Sequence, residues 1–507
     1  MHSQVRHARR SNRLQIETLE ARENPSGTVI ASLSAGGVLT LTGDSLDNQV
    51  QLEVTAAGAV VTGLNETQVV VNGSLEGTVN SINASLKAGN DSIEIIDNDA
   101  AGFAITGNAL FDLGAGDNSL DLTPIGSLSI GGKLSVKGGT GLDTIDVSGG
   151  AGSSIGGGAT IALGAGGSSV DISSISISGG AGLKVAAGVG DDSVNLNAVV
   201  VDNNIKISTG AGLLNVDIDG ATIAGGNVSI TGGTVDLDVI GNTFVVGGNF
   251  RLAGTQGADL SASAVDAAIH VDSHATISSG VGVAALVATG NHISVGKNLT
   301  VSGAAGTNVS IDTTSSSDVA GHVFVRGSAA IDNFDVTSNF SVGKNVLLTL
   351  GGGNNLVTLG DGNASLNLNG KISIFAGAGN DTVLFDQVSV AGRTAVRLGS
   401  GDDTFQARNG TTFGASASAS TLISLGAGAD TLNLAGDIAA TAGVTFSGRA
   451  SIFTGDDIDT VTLGVTGGVS PDVIFLAKSV LDGGAATDVF VEATSDFSGD
   501  LTIVNLP

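Results

Sequence analysis

From Val38 onward the apolar residues of this chain alternate with polar ones at every second position, in runs too short for a helix. Leu39-Thr-Leu41 and Val50-Gln-Leu-Glu-Val54 are the first of them, followed by the wholly apolar Val69-Val-Val71. Side chains of a strand point alternately to its two faces, so each run predicts a β-strand with one buried face. Clusters of Gly, Asn, Asp and Ser bound the runs, which is turn composition. Beyond residue 26 no stretch keeps helical spacing, and glycine every few residues would oppose a helix in any case.

The turns recur. A pattern GxGxD, followed by apolar-x-apolar, stands at Gly139–Asp143, Gly188–Asp192, Gly377–Asp381, Gly399–Asp403 and Gly426–Asp430. Weaker copies lie at Lys87–Asp91, Gly114–Asn118, Gly164–Ser168, Gly210–Leu214, Gly351–Asn355, Gly455–Asp459 and Gly484–Asp488. Between 214 and 355 the motif decays, although glycine clusters persist there. Halfway through each unit stands a second corner, as in Ile130-Gly-Gly-Lys-Leu-Ser-Val136, Val342-Gly-Lys-Asn-Val-Leu-Leu348 and Leu368-Asn-Gly-Lys-Ile-Ser-Ile374. Gly and Asn suit such corners because both tolerate positive φ.

Two or three short strands per unit of about 25 residues, joined by sharp corners, is the grammar of a parallel β-helix. The expected fold is all-β: a single-chain β-solenoid of about 19 coils of roughly 22–29 residues, right-handed as parallel crossovers are. Residues 38–86 have room for two coils before Asp91, with Gly43–Asn48 as the first turn. At ~4.8 Å per coil the rod would be on the order of 90 Å long. An array of β-sandwiches would need strands of about 6–8 residues rather than the shorter runs seen here. Residues 1–26 form a separate basic polar segment. The β-helix occupies 27–507, with its most regular corners at 87–192 and 377–488.

Composition narrows the function classes. Gly is 79 of 507 residues and Pro only 4, which excludes collagen and proline-rich coil. Cys, Trp and Tyr are absent, so no disulfide framework exists and an outer-membrane barrel would lack its aromatic girdles. The net charge is −28. Residues 1–26 carry five arginines (Arg6, Arg9, Arg10, Arg13, Arg22) against three glutamates, for +2, leaving −30 on the rest. Such a body repels nucleic acid and attracts cations. No apolar run approaches the ~20 residues of a membrane helix.

Two resemblances add to this. Gly138-Gly-Thr-Gly-Leu-Asp-Thr-Ile-Asp146 matches all nine positions of GGxGxDxUx, and the corners as a set resemble the RTX-type calcium β-roll repeat. The resemblance implies Ca²⁺ held by the corner aspartates, here Asp143, Asp381, Asp403, Asp430 and Asp459. RTX nonapeptides run two per coil, whereas this chain has one. In register, Asp381 to Asp488 would stand ~5 Å apart along the rod edge, where like charges call for a cation or for backbone N–H groups between them. The other resemblance is Arg13-Leu-Gln-Ile-Glu-Thr-Leu-Glu-Ala-Arg-Glu-Asn-Pro-Ser26, which is similar to a short amino-terminal segment of large surface or secreted planctomycete proteins and implies a sorting or anchoring role.

Catalysis finds little support. His270-Val-Asp-Ser-His274 puts two imidazoles and Asp272 on one strand face, but a solvated polar face is the simpler reading. Of 16 Phe, 14 lie from Phe244 onward and alternate with polar residues, as at Phe324 and Phe334, which reads as stacked core. The expectation is a non-enzymatic, secreted or cell-surface rod, with no catalytic residues and no nucleic-acid partner. Its partners would be cell-surface or matrix components, or other copies of itself end to end. The alternative is an extracellular carbohydrate-active enzyme, which would need a groove with two or more carboxylates plus His or Arg.

Overall fold

The computed structural model describes residues 26–506 apart from 98–101, 263–264, 338, 364, 436–442, 465–472 and 493–496. The sorting-like segment lies almost wholly outside them. No α-helix occurs among the described residues, and no helix is long and apolar enough to cross a membrane. The 53 strands among the described residues belong to one continuous sheet.

The chain opens with β1 (Thr28–Leu33), β2 (Val38–Thr42), β3 (Gln49–Thr55), β4 (Gly58–Gly63) and β5 (Gln68–Val71). The first regular coil is β6 (Ser81–Ser85), β7 (Ser92–Ile96) and β8 (Phe103–Ile105). From there each turn lays down three strands, each pairing in parallel with its counterpart in the next turn. β6 pairs with Ala109–Gly114, β7 with Asn118–Leu122, and β8 with Leu128–Ile130. The pattern repeats to the C-terminal strands, making a β-solenoid of about 16 turns.

That is fewer than the nineteen expected, and the N-terminal end accounts for part of the difference. Gly43–Asn48 is the first corner, as the sequence suggests, but Thr55–Val71 do not form a further coil. β1 lies antiparallel along β2, with Ile30 opposite Thr42, and β4 folds back antiparallel along β3, with Val50 opposite Gly63. Thr55 to Gly58 is short enough for a hairpin, and a hairpin is antiparallel whereas a coil must travel round the rod. These strands pair the edges of β2 and β3 that would otherwise stand open.

Alternate residues point inward and form columns. On the first side one column runs Ala109, Leu134, Ala159, Leu183, so a small residue lies over a large one. On the third side the column ends in Phe413, Phe446 and Phe475, whose rings stack with centroids 5.0 and 4.9 Å apart. Each such pair adds roughly 0.5–1.5 kcal/mol to the area that it buries. Phe334 is buried as expected, but Phe324 is not. It starts one residue later than the inward register set by Val323 and Val325, so it faces out and stacks on His322 at 5.4 Å.

Candidate functional site

The GxGxD corner joins the first side of each coil to the second. Its second glycine sits where the backbones of neighbouring coils approach closely. Gly401 and Gly428 have φ of +128° and +130°. A Cβ on either would lie 2.2 Å from the carbonyl oxygen of its counterpart one coil earlier, Gly379 or Gly401. An L side chain at either would be strained and crowded, which explains why glycine recurs, although Asp457 and Ala486 hold the position in the last two copies.

The aspartate that closes the motif turns into the rod instead of standing on its edge. Asp143, Asp381, Asp403, Asp430 and Asp459 are all at most 1% exposed. Each carboxylate reaches back one coil. Asp403 Oδ1 accepts the Asp381 N–H at 2.7 Å, Asp430 that of Asp403 at 2.8 Å, and Asp459 that of Asp430 at 2.9 Å. Asp488 accepts from Asp459 at 3.0 Å, and Asp381 from Asn355 at 2.8 Å. The repulsion expected between stacked carboxylates is thus met on one oxygen by a backbone N–H.

The corner also forms without a carboxylate. Asn118 and Asn355 hold the same position and accept the N–H of Asp91 (3.1 Å) and Asp332 (2.9 Å). At Ser168 the following residue, Asp192, still accepts the Ser168 N–H at 3.0 Å, and Leu214 simply joins the core.

The second oxygen is different. In Asp91, Asp143, Asp192, Asp381, Asp403, Asp430, Asp459 and Asp488, Oδ2 is buried without a hydrogen-bond partner. Burial, the main cause, pushes the carboxyls of Asp143, Asp192, Asp381 and Asp459 above the ordinary carboxylate range. Asp91 is pushed up to about 6, and Asp403 and Asp430 to about 7, again by burial first and by neighbouring carboxylates after it.

A second ladder runs outside the first with the opposite polarity. The residue just before the aspartate accepts from the coil after it: Asn354 from Asn380, Asn380 from Asp402, and Asp402 from Ala429, at 2.9, 3.0 and 2.9 Å. The other corner has its own half-buried chain, in which Asn298 accepts from His322, His322 Nδ1 from Asn345, and Asn345 from Lys371. Sequence reasoning missed both. The exchange of Asn for Asp at one register position was the available signal, because both offer a side-chain carbonyl oxygen while only one is charged.

Calcium takes six to eight oxygens at one point. The corner aspartates instead stand in single file, one oxygen of each bound to an N–H, and do not make that cage. No group of three or more His, Cys, Asp or Glu that could hold a metal ion occurs among the described residues.

Elsewhere, His270 Nε2 lies 2.8 Å from Asp272, both exposed, while the His274 N–H is bound to Asn249. A cleft of about 240 Å³ beside strand Val228–Val239 carries Asp236 and Asp259 and neither His nor Arg. Its neighbour of about 520 Å³ carries Arg251 and no carboxylate. The most buried ion pair is structural: Asp386, 1% exposed on its side chain, receives Arg408 Nε at 2.7 Å and Asn409 Nδ2 at 2.6 Å.

Fold and corner together define a parallel β-solenoid with an internal Asp/Asn ladder. No protein-family model, curated protein or solved structure matches the chain.

Proposed function

We propose that the chain is a non-enzymatic rod, on or outside the cell surface, whose role is structural or adhesive. The observation that carries this reading is what stays constant along the chain. Inward strand positions remain apolar and the parallel strand stacks continue coil after coil from β6 onward, while outward chemistry drifts. The second side's outward column reads Glu94, Asp121, Asp146 and Asp171 in early coils, and Thr358, Leu384, Gln406 and Asn433 in later ones. A repeat that holds coil geometry while its surface varies suits a spacer better than a catalyst, which needs convergent groups at one place. About 16 turns at ~4.8 Å give a rod on the order of 80 Å. The outward acidic face keeps such an apolar-cored rod soluble.

Antibody labelling of intact cells tests this. Labelling without permeabilisation is expected. Labelling only after permeabilisation, or depolymerisation of a polysaccharide by the purified chain, would contradict it.

A further inference from the structure

We propose that the corner carboxyls of Asp381, Asp403, Asp430 and Asp459 hold protons in the folded rod, donate hydrogen bonds along the file, and loosen the C-terminal coils when those protons are removed. The asparagines at the same position reveal what the corner requires. Asn118 accepts with Oδ1, but its Nδ2 donates to the Gly116 carbonyl at 2.9 Å and to Asp143 Oδ1 at 2.8 Å. Asn355 Nδ2 likewise donates to Gly353 O at 3.1 Å and to Asp381 Oδ1 at 2.8 Å. At the N-terminal end, Asn48 Nδ2 donates to Leu46 O at 2.6 Å and to Asp91 Oδ1 at 3.0 Å. Three coils thus place a donor between the turn's own carbonyl and the next carboxylate.

An aspartate that accepts with Oδ1 in the same way presents Oδ2 where asparagine presents Nδ2. In the file from Asp381 to Asp459 an ionised Oδ2 lies where asparagine places a donor, and the orphaned oxygens there are that mismatch, with the Thr454 hydroxyl facing the last of them. A proton on Oδ2 restores the donor. Asp332 is the exception that supports the rule. Its Oδ1 receives the N–H and hydroxyl of Thr307 and its Oδ2 the Ser328 N–H, so it has donors of its own.

The groups around the file are of one sign. Asp402 stands beside Asp403 and Asp430, Asp457 and Asp488 beside Asp459, and Asp381 beside Asp403. The Thr454 hydroxyl faces Asp459. Ion pairs among the described residues join Lys137 to Asp112, His270 to Asp272 and Arg408 to Asp386, none of them in the file.

A carboxyl whose folded pKa stands above its unfolded value of 3.8 stabilises fully below that value. It loses the contribution as pH rises through about 7 for Asp403 and Asp430. The test is the thermal midpoint of the full chain at about pH 5 and about pH 8.5. Three proteins are compared: wild type, Asp403→Asn/Asp430→Asn, and the exposed control Asp202→Asn/Asp266→Asn. A fall of several degrees at high pH is expected for wild type and for the control, and a clearly smaller fall for the ladder variant. A wild-type midpoint that is constant or rises with pH would overturn the proposal. So would a control that blunts the fall as much as the ladder variant, because general charge repulsion would then explain it. If the ladder variant fails to fold, the infrared carbonyl stretch of protonated carboxyls in wild type at neutral pH decides. Its presence, lost on titration to high pH, supports the proposal, and its absence overturns it.

Discussion

The two ends of the rod use one corner in two ways. In the N-terminal coils the ladder position reads Asn48, Asp91, Asn118, Asp143, Ser168, Asp192, so most carboxylates neighbour an amide or a hydroxyl. In the C-terminal coils it reads Asn355, Asp381, Asp403, Asp430, Asp459, Asp488, and after the first member no amide remains. In both, the Asp and Asn members accept the N–H of the coil before, as Asp91 does from Asn48 and Asp403 from Asp381, whereas the Ser168 hydroxyl has no partner. The difference teaches that the corner selects for a side-chain carbonyl oxygen, whereas the second atom of the group sets how the coil responds to protons. The cores differ as well: a third-side column of Ile130 and Ile155 early becomes one of stacked Phe late.

The largest effect expected tests the cores. Phe446→Ala should cost about 3–5 kcal/mol, because the stack cannot close over the cavity, whereas Ile155→Val in the same column should cost only about 0.5–1.5 kcal/mol. Denaturant melts of both variants measure the contrast, and equal losses would mean that the halves do not differ in packing. Next comes Asp430→Ala, which leaves the buried Asp403 N–H without its acceptor. A loss of about 1–3 kcal/mol is expected at any pH. Asp430→Asn should avoid it, since the amide oxygen replaces Oδ1.

A smaller and conditional effect follows from extending the acidic run. Asn355→Asp removes the donor to Asp381 and should lower the thermal midpoint at about pH 8.5 while leaving it nearly unchanged at about pH 5. A loss that is independent of pH would break the proposed link between file length and proton dependence. The smallest expected effect is that of calcium. Melting curves in millimolar Ca²⁺ and in EDTA should coincide, and a clear rise with Ca²⁺ would assign the corners a metal-binding role.

The sequence made the fold legible because a solenoid writes its geometry once per coil. Period-2 alternation marked the strands, and Gly399–Asp403 with its copies marked the corner. What it did not carry was the direction of the side chain. Asp403 looks like an edge residue because Asp is usually exposed, yet the backbone N–H of the preceding coil draws it inward. That partner lies 22 residues away and belongs to the main chain, so no residue type announces it. The antiparallel cap was hidden for a related reason. β4 and β5 are short and valine-rich like the coil strands, and only the short Thr55–Gly58 connection shows that the chain turns back. Phe324 deceived by one residue of register, which is enough to invert a strand's faces.

Hydrogen exchange along the intact chain at about pH 5 and about pH 8.5, corrected for intrinsic rates, tests the contrast between the two ends most directly. As pH rises, amides of the strands Thr404–Arg408 and Thr431–Leu434 should lose protection markedly, while those of Asn118–Leu122 and Asp143–Ser148 change less. Equal changes at both ends, or better protection of the C-terminal strands at high pH, would contradict a corner file held together by protons.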